Sequence, residues 1–192
     1  MFYKSFKEKV TFTILCGLAD LGEQSAQRLE NLGYTRDIYS SIEIILDAPS
    51  GFAITVMTTA AKRSTKQILI TSNQCPEYCE DLWEFASAIL LVNPTLDQDV
   101  ADAIDCAYDG QSYRIPYPME CLLTVSQRRI LRLLACGFTH KEIAATCNVK
   151  PQSVSNTISQ ILSQLYLSNR VEATLYYWGL WHLVESIKYP ER

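Results

Sequence analysis

Gln152, Ser155, Asn156, Ser159, Gln160 and Ser163 fall on one side of the stretch PQSVSNTISQILSQLY when it is wound as a helix. Val154, Ile158, Ile161, Leu162 and Leu165 fall on the other side, at the i, i+3/i+4 spacing of a helix with one buried face. Serine and asparagine are poor helix formers, so helix propensity does not account for the polar side. A row of amides and hydroxyls can read hydrogen-bonding edges. Asn and Gln pair bidentately with adenine, and Ser pairs with several base edges. The competing reading is a solvated helix surface, for which a face almost without charge is unusual.

The residues upstream are suited to holding such a helix. Thr139 and Glu142 have the capping-box spacing. Ile143 and Ala144 then face inward, and the small Ala144 lets another helix approach. Asn148 tolerates the left-handed conformation of a tight turn, and Val149 is expected to plug the core beneath it. Pro151 suits the first position of the next helix. The apolar spacing predicts four helices in this half: Ser126–Ala135, Thr139–Cys147, Pro151–Tyr166 and Asn169–Val184.

These residues carry a resemblance. LTVSQRRILRLLACGFTHKEIAATCNV and SVSNTISQILSQLYLSNRVEATLYYWGL are similar to the C-terminal helix-turn-helix of LuxR/NarL (FixJ)-type transcription regulators. The landmarks are Leu123-Thr124, the Leu-Leu-Ala before Gly137, Lys141 to Ala144, Ser153-Val154, Ile161, Leu165, Asn169-Arg170 and Glu172-Ala173. The resemblance implies a recognition helix over about 151–166 in the major groove of double-stranded DNA. It places Lys141, Lys150, Gln152, Ser153, Ser155, Asn156, Ser159, Gln160 and Arg170 at the DNA. Solvated roles compete for Lys141 and Lys150, and an ion pair with Glu172 or Glu142 competes for Arg170. His140 reads as an exposed polar residue near a helix start. Arg128 and Arg129 are further candidate cations.

The chain departs from the family in having Ser155, Thr157 and Gln164 where Lys, His and Lys are usual. Affinity follows the number of phosphates neutralised, so the loss weakens binding by roughly ten- to a thousand-fold at physiological salt. In the same family the last helix commonly pairs two units. Tyr176, Tyr177 and Trp181 are therefore the expected dimer face, with extra packing on the N-terminal half as the rival reading. Leu175, Trp178 and Leu183 are expected to be partly core.

The first half alternates strand-like and helix-like runs. Strands are expected at 10–16, 37–40, 52–58, 67–71 and 88–92. Helices are expected at 23–32, 41–48, 76–85 and 95–108, with Gly33 closing the first and Thr95 capping the last. Such alternation implies a mainly parallel sheet. The order is similar to that of a phosphoacceptor receiver with its third helix missing or short, and Thr71 stands at the switch hydroxyl. The receiver's acids and lysine are replaced by Cys16-Gly17, Met57-Thr58 and Val92-Asn93. The resemblance thus implies a degenerate, non-phosphorylatable module for dimerisation or partner docking. Tyr113–Pro118 cannot continue a helix. The expected organisation is 1–112, a linker at 113–122, and the helix-turn-helix at 123–192.

Residues 1–117 carry nine basic and sixteen acidic side chains, whereas 118–192 carry eight and five. The charge split fits two units with different partners. The seven cysteines are scattered, without a CxxC, and there are two histidines, so no metal site is expected. Reduced, mostly buried thiols are expected, with redox sensing as the minor alternative. No secretory signal or membrane span is read, which makes a cytoplasmic location the expectation. No nucleophile–base pair can be assembled, so neither an enzyme nor a cofactor is expected. The overall expectation is a DNA-binding regulator acting as a homo- or heterodimer with a related regulator. The alternative is a co-regulator or anti-regulator with little DNA affinity of its own. A sigma-factor-like helix-turn-helix fits less well, because of Asn169-Arg170 and Glu172-Ala173.

Overall fold

Among the described residues, six short strands run parallel in one sheet, in the order Thr35–Arg36, Thr11–Cys16, Ile42–Leu46, Lys66–Thr71, Ile89–Val92 and Tyr113–Arg114. The computed structural model describes residues 10–59, 66–85, 89–94, 97–114 and 120–188. Its contacts divide the chain into two units. One is Met1–Ser72 with Leu82–Pro116, and the other is Asn73–Asp81 with Tyr117–Arg192.

The first unit is α/β. Its strands are β1 (Thr11–Cys16), β2 (Thr35–Arg36), β3 (Ile42–Leu46), β4 (Lys66–Thr71), β5 (Ile89–Val92) and β6 (Tyr113–Arg114). Helix α1 (Ala19–Asn31) follows β1, α2 (Phe52–Thr59) follows β3, α3 (Pro76–Phe85), whose residues up to Asp81 count with the second unit, follows β4, and α4 (Asp97–Tyr108) follows β5. Parallel neighbours need crossovers, and these helices supply them. Phe12, Ile42, Ile44, Ile68, Ile89, Leu91, Ala103, Ile104 and Ala107 form the buried layer beneath α1 and α4.

Several expectations are corrected here. Residues 41–48 are a strand rather than a helix, because every residue from Ile42 to Leu46 is buried and three of the five are β-branched. Even Glu43 is buried, where it accepts a hydrogen bond from Gln67 Nε2 at 3.2 Å. Residues 52–58 are a helix rather than a strand. Asp47 Oδ1 accepts from Gly51 N and Ala53 N, both at 2.9 Å, which starts the helix despite its β-branched content. Thr55, Thr58 and Thr59 return their hydroxyls to carbonyls one turn back. The second strand is Thr35–Arg36, and a turn pinned by Asp37 occupies 37–40. The crossover without a helix is therefore β2 to β3, while the short α2 joins β3 to β4. The residue following the third strand is Asp47, not Met57-Thr58.

Helix α1 starts at Ala19, four residues before the expected Glu23. Gly33 closes it at φ 99°, with Gly33 N on Glu30 O and Tyr34 N on Leu29 O. Tyr113–Arg114, expected in the linker, adds to the edge of β5. Thr95 lies outside the described residues.

The second unit is helical: α5 (Val125–Ala135), α6 (His140–Cys147), α7 (Pro151–Gln164), α8 (Arg170–Tyr177) and α9 (Trp181–Lys188). The single helix expected over 169–184 is two. Gly179 adopts φ 71°, Gly179 N bonds Tyr176 O at 2.9 Å and Leu180 N bonds Leu175 O at 2.8 Å, so α8 closes and the chain turns. Four helices therefore become five among the described residues. None of the described helices is long and apolar enough to cross a membrane.

Candidate nucleic-acid interface

Helix α7 is held by local chemistry at both ends of the turn before it. Thr139 Oγ1 accepts from Glu142 N at 3.4 Å, and Glu142 Oε2 accepts from Thr139 N at 2.7 Å, which completes the expected capping box. The Thr139 amide bond, then the Thr139 hydroxyl, hold the Glu142 carboxyl below the ordinary carboxylate range. Asn148 adopts φ 53°, ψ 48°, and Val149 N bonds Ala144 O at 3.0 Å. Val149 itself is exposed rather than plugging the core. Pro151 opens α7 as expected. Val154, Ile158 and Ile161 are buried, while Leu162 and Leu165 are half-buried.

The opposite face of α7 is accessible. Gln152, Ser153, Asn156, Ser159 and Gln160 are exposed. Gln152 Nε2 donates to Asn156 Oδ1 at 3.0 Å, which orients both amides. Ser159 Oγ bonds Ser155 O at 3.1 Å. Ser155 is half-buried, with its hydroxyl 3.2 Å from His140 Nδ1, and His140 is half-buried rather than free in solvent. Lys141, Lys150 and Arg170 are exposed, as is Arg129, whose guanidinium bonds Thr146 O at 3.1 Å.

Glu142 and Glu172, the two candidate ion partners of Arg170, are engaged elsewhere. Glu172 accepts from Ser168 N at 2.7 Å and Asn169 Nδ2 at 3.1 Å, while Asn169 Oδ1 accepts from Val171 N and Glu172 N. The Asn169…Glu172 spacing thus starts α8. A second capping box, Thr124 with Gln127, starts α5.

Arg128 is not available to a phosphate. It is buried, with Nε 3.4 Å from Asp81 Oδ1, and Arg132 approaches Asp81 Oδ2 at 3.2 Å. Tyr177 Oη donates to Asp81 Oδ2 at 2.6 Å, and Tyr176 Oη donates to Glu77 Oε2 at 2.6 Å. Tyr78, Tyr177 and Trp178 pack edge to face, with centroids 5.1–5.8 Å apart. Burial and the adjacent carboxylates push both phenols well above their ordinary pKa. Asn73 completes this layer. Its Nδ2 donates to Tyr177 O at 2.9 Å, and its Oδ1 accepts from Cys75 N at 2.9 Å.

These contacts correct the expected dimer face at Tyr177 and Tyr176 and leave Trp181 in it. Tyr177 is fully buried within its own chain, Tyr176 is half-buried and tied to Glu77, and Trp181 is half-buried. Leu183, expected to be partly core, is exposed. The role of Asn73–Asp81 was not read from the sequence. Its signal was Glu77, Tyr78, Asp81 and Leu82 on one stripe of α3, two acids among apolar residues on a face that must meet cations or hydroxyls to be buried.

Residues 122–177 match the family model described as bacterial regulatory proteins, luxR family. The chain is similar to the transcriptional regulatory protein DesR of Bacillus subtilis (strain 168), with 32% identity over 114 residues, 56% of this chain and 57% of DesR. It is also similar to the uncharacterized transcriptional regulatory protein YvfU of the same organism, with 35% identity over 116 residues, 57% of this chain and 58% of YvfU. The chain thus spans a little over half the length of these curated relatives. Among solved structures, it resembles RcsB from Salmonella enterica serovar Typhimurium bound to promoter rprA in the presence of phosphomimetic BeF3-. The TM-score is 0.57 at 14% identity, over 88% of this chain and 98% of that one, which shows a shared fold.

Proposed function

Residues 122–177 being a helix-turn-helix domain of the bacterial luxR regulatory family, we propose that the chain is a DNA-binding transcription regulator. The carrying observation is the exposed, uncharged, hydrogen-bonding face of α7. Gln152, Asn156, Ser159 and Gln160 offer base-reading groups there, and the exposed Lys141, Lys150, Arg129 and Arg170 are the cations offered to phosphates. Ser153 stands at the exposed start of the helix, where hydroxyl and amide donors suit a phosphate. Ser155 contributes at the edge of the face through a hydroxyl already oriented by His140.

Four exposed cations give a single subunit modest affinity, so the regulator acts as a dimer on two half-sites. With Tyr177 buried, the dimer face falls to the exposed Val171, Leu180 and Leu183 with the half-buried Trp181. We read the α/β unit as a degenerate receiver that works without phosphorylation. Asp47 stands after β3, but its oxygens accept from Gly51 N, Ala53 N and Thr71 Oγ1. Cys16-Gly17 and Asn93 stand where a second acid and a lysine would assist. A carboxylate bound in this way is a poor nucleophile, and a hard cation finds few oxygen ligands beside it.

The test is selection of fragmented genomic DNA by the full chain at physiological salt, beside a variant with Ser155, Asn156 and Ser159 all changed to Ala. Enrichment of a two-half-site motif by the parent alone is expected. Enrichment of nothing, or of the same motif by both, overturns the reading. Enrichment of nothing would point instead to a protein that acts by binding another regulator.

A further inference from the structure

The sheet of the α/β unit is tightly covered at one end and open at the other. Phe12, Ile42, Ile68 and Ile89 are fully buried, whereas Ile14 and Ile70, further along the same face, are only half-buried. From the roofing helices, α1 contributes Leu21, Ser25, Arg28 and Leu29 to the lining near that end, and α4 contributes Asp97 and Val100. The cavity there measures about 390 Å³. It lies over β1, β3 and β4, where the strand order reverses, a common place for ligands in parallel sheets.

The cavity has an apolar floor and a polar mouth. Ile14, Ile44, Leu46, Ile70 and Val100 line its body. Asp47, Thr71, Ser72 and Asn93 stand at the strand ends. Arg28 of α1 and Asp97 of α4 face each other at 3.9 Å, and both are well exposed. The lining therefore carries two carboxylates against one guanidinium.

We propose that this cavity binds a small organic amine, with its apolar body over Ile14, Ile44 and Ile70 and its ammonium group toward Asp97 at the mouth. The volume is in the range of small-molecule sites, and the excess negative charge selects the head group. The proposal does not depend on DNA binding by the helical unit.

The probes are tryptamine, with indole-3-propanoate as the same body bearing the opposite charge. Methyl NMR of the full chain, labelled at isoleucine, reports the site. Saturable shifts of the Ile14, Ile44 and Ile70 methyls are expected with tryptamine, and binding of the propanoate is at least about tenfold weaker. Ser25→Phe fills the cavity and abolishes the shifts. Should that variant not fold, Asp97→Lys is the second test, at an exposed position. It is expected to weaken tryptamine about tenfold and to strengthen the propanoate, because an attraction becomes a repulsion. No saturable shift with tryptamine, equal binding of both probes, or a preference unmoved by Asp97→Lys overturns the proposal.

Discussion

Asp81→Ala tests whether the Asn73–Asp81 segment holds the helical unit together. The carboxylate is almost completely buried and receives Arg128 at 3.4 Å, Arg132 at 3.2 Å and the Tyr177 hydroxyl at 2.6 Å. Removing it leaves a guanidinium in a buried site without its counter-charge, which costs about 3–5 kcal/mol. Arg128 keeps Leu123 O at 3.5 Å, and Arg132, at 19% side-chain exposure, can turn toward water. Both place the electrostatic loss at the low end, about 3 kcal/mol. The lost acceptor of the Tyr177 hydroxyl adds about 1 kcal/mol. The assay is urea unfolding of the full chain, followed by near-UV circular dichroism of the Tyr78–Tyr177–Trp178 cluster. Asp81→Leu combined with Arg128→Met replaces charge by volume and should recover most of the loss. A loss below about 1 kcal/mol for Asp81→Ala, or a double variant no better than the single one, refutes the reasoning.

Gly179→Ala should cost about 2–3 kcal/mol by the same assay. The position has φ 71°, and a Cβ would lie 2.5 Å from Asn73 Oδ1, whose amide is held by two hydrogen bonds. The raised Tyr177 phenol predicts stability that is complete below the ordinary phenol pKa of 10.0 and lost as pH rises above it. At pH 11 the loss is about 1.4 kcal/mol, read as a falling urea midpoint that Tyr177→Phe makes shallower. For DNA binding, four exposed cations predict a slope of log K against log salt of about −4 per subunit, measured by fluorescence anisotropy. A slope steeper than about −6 means that cations beyond Arg129, Lys141, Lys150 and Arg170 reach phosphates.

The helical half was legible because its signals are local. The Thr139–Glu142 box, Asn148 in the left-handed region and Pro151 at a helix start are each set by neighbours within a few residues, and the structure repeats them. Errors arose where the deciding partner is remote. Ser41–Ala48 reads as a helix from its apolar run, whereas pairing on both sides with β1 and β4 makes it a strand. Phe52–Thr58 has strand propensity, overridden by Asp47 at the helix start. That one slip in register also misplaced the end of the third strand, so an aspartate went unrecognised there. Tyr177 and Arg128 were misjudged for the same reason. Their partner, Asp81, is 96 and 47 residues away in sequence.

Formal charge overstates what this chain can present to a ligand. Of its seventeen basic residues, Arg128 is buried on Asp81 and Arg132 leans on the same carboxylate. Both belong to the helical unit, whose local excess of basic over acidic residues is only three beyond residue 117. A cation held by a buried carboxylate stabilises the fold but releases no counterions from DNA. Asp47 is a parallel case in the other unit, its oxygens given to two backbone amides and a threonine hydroxyl. Both units therefore turn part of their charge inward, and on the reading proposed here two things must compensate. Specificity rests on the amides and hydroxyls of α7 rather than on basic side chains, and affinity rests on joining two subunits. In a dimer the second half-site is engaged at high effective concentration, so modest subunits suffice when their spacing matches the DNA.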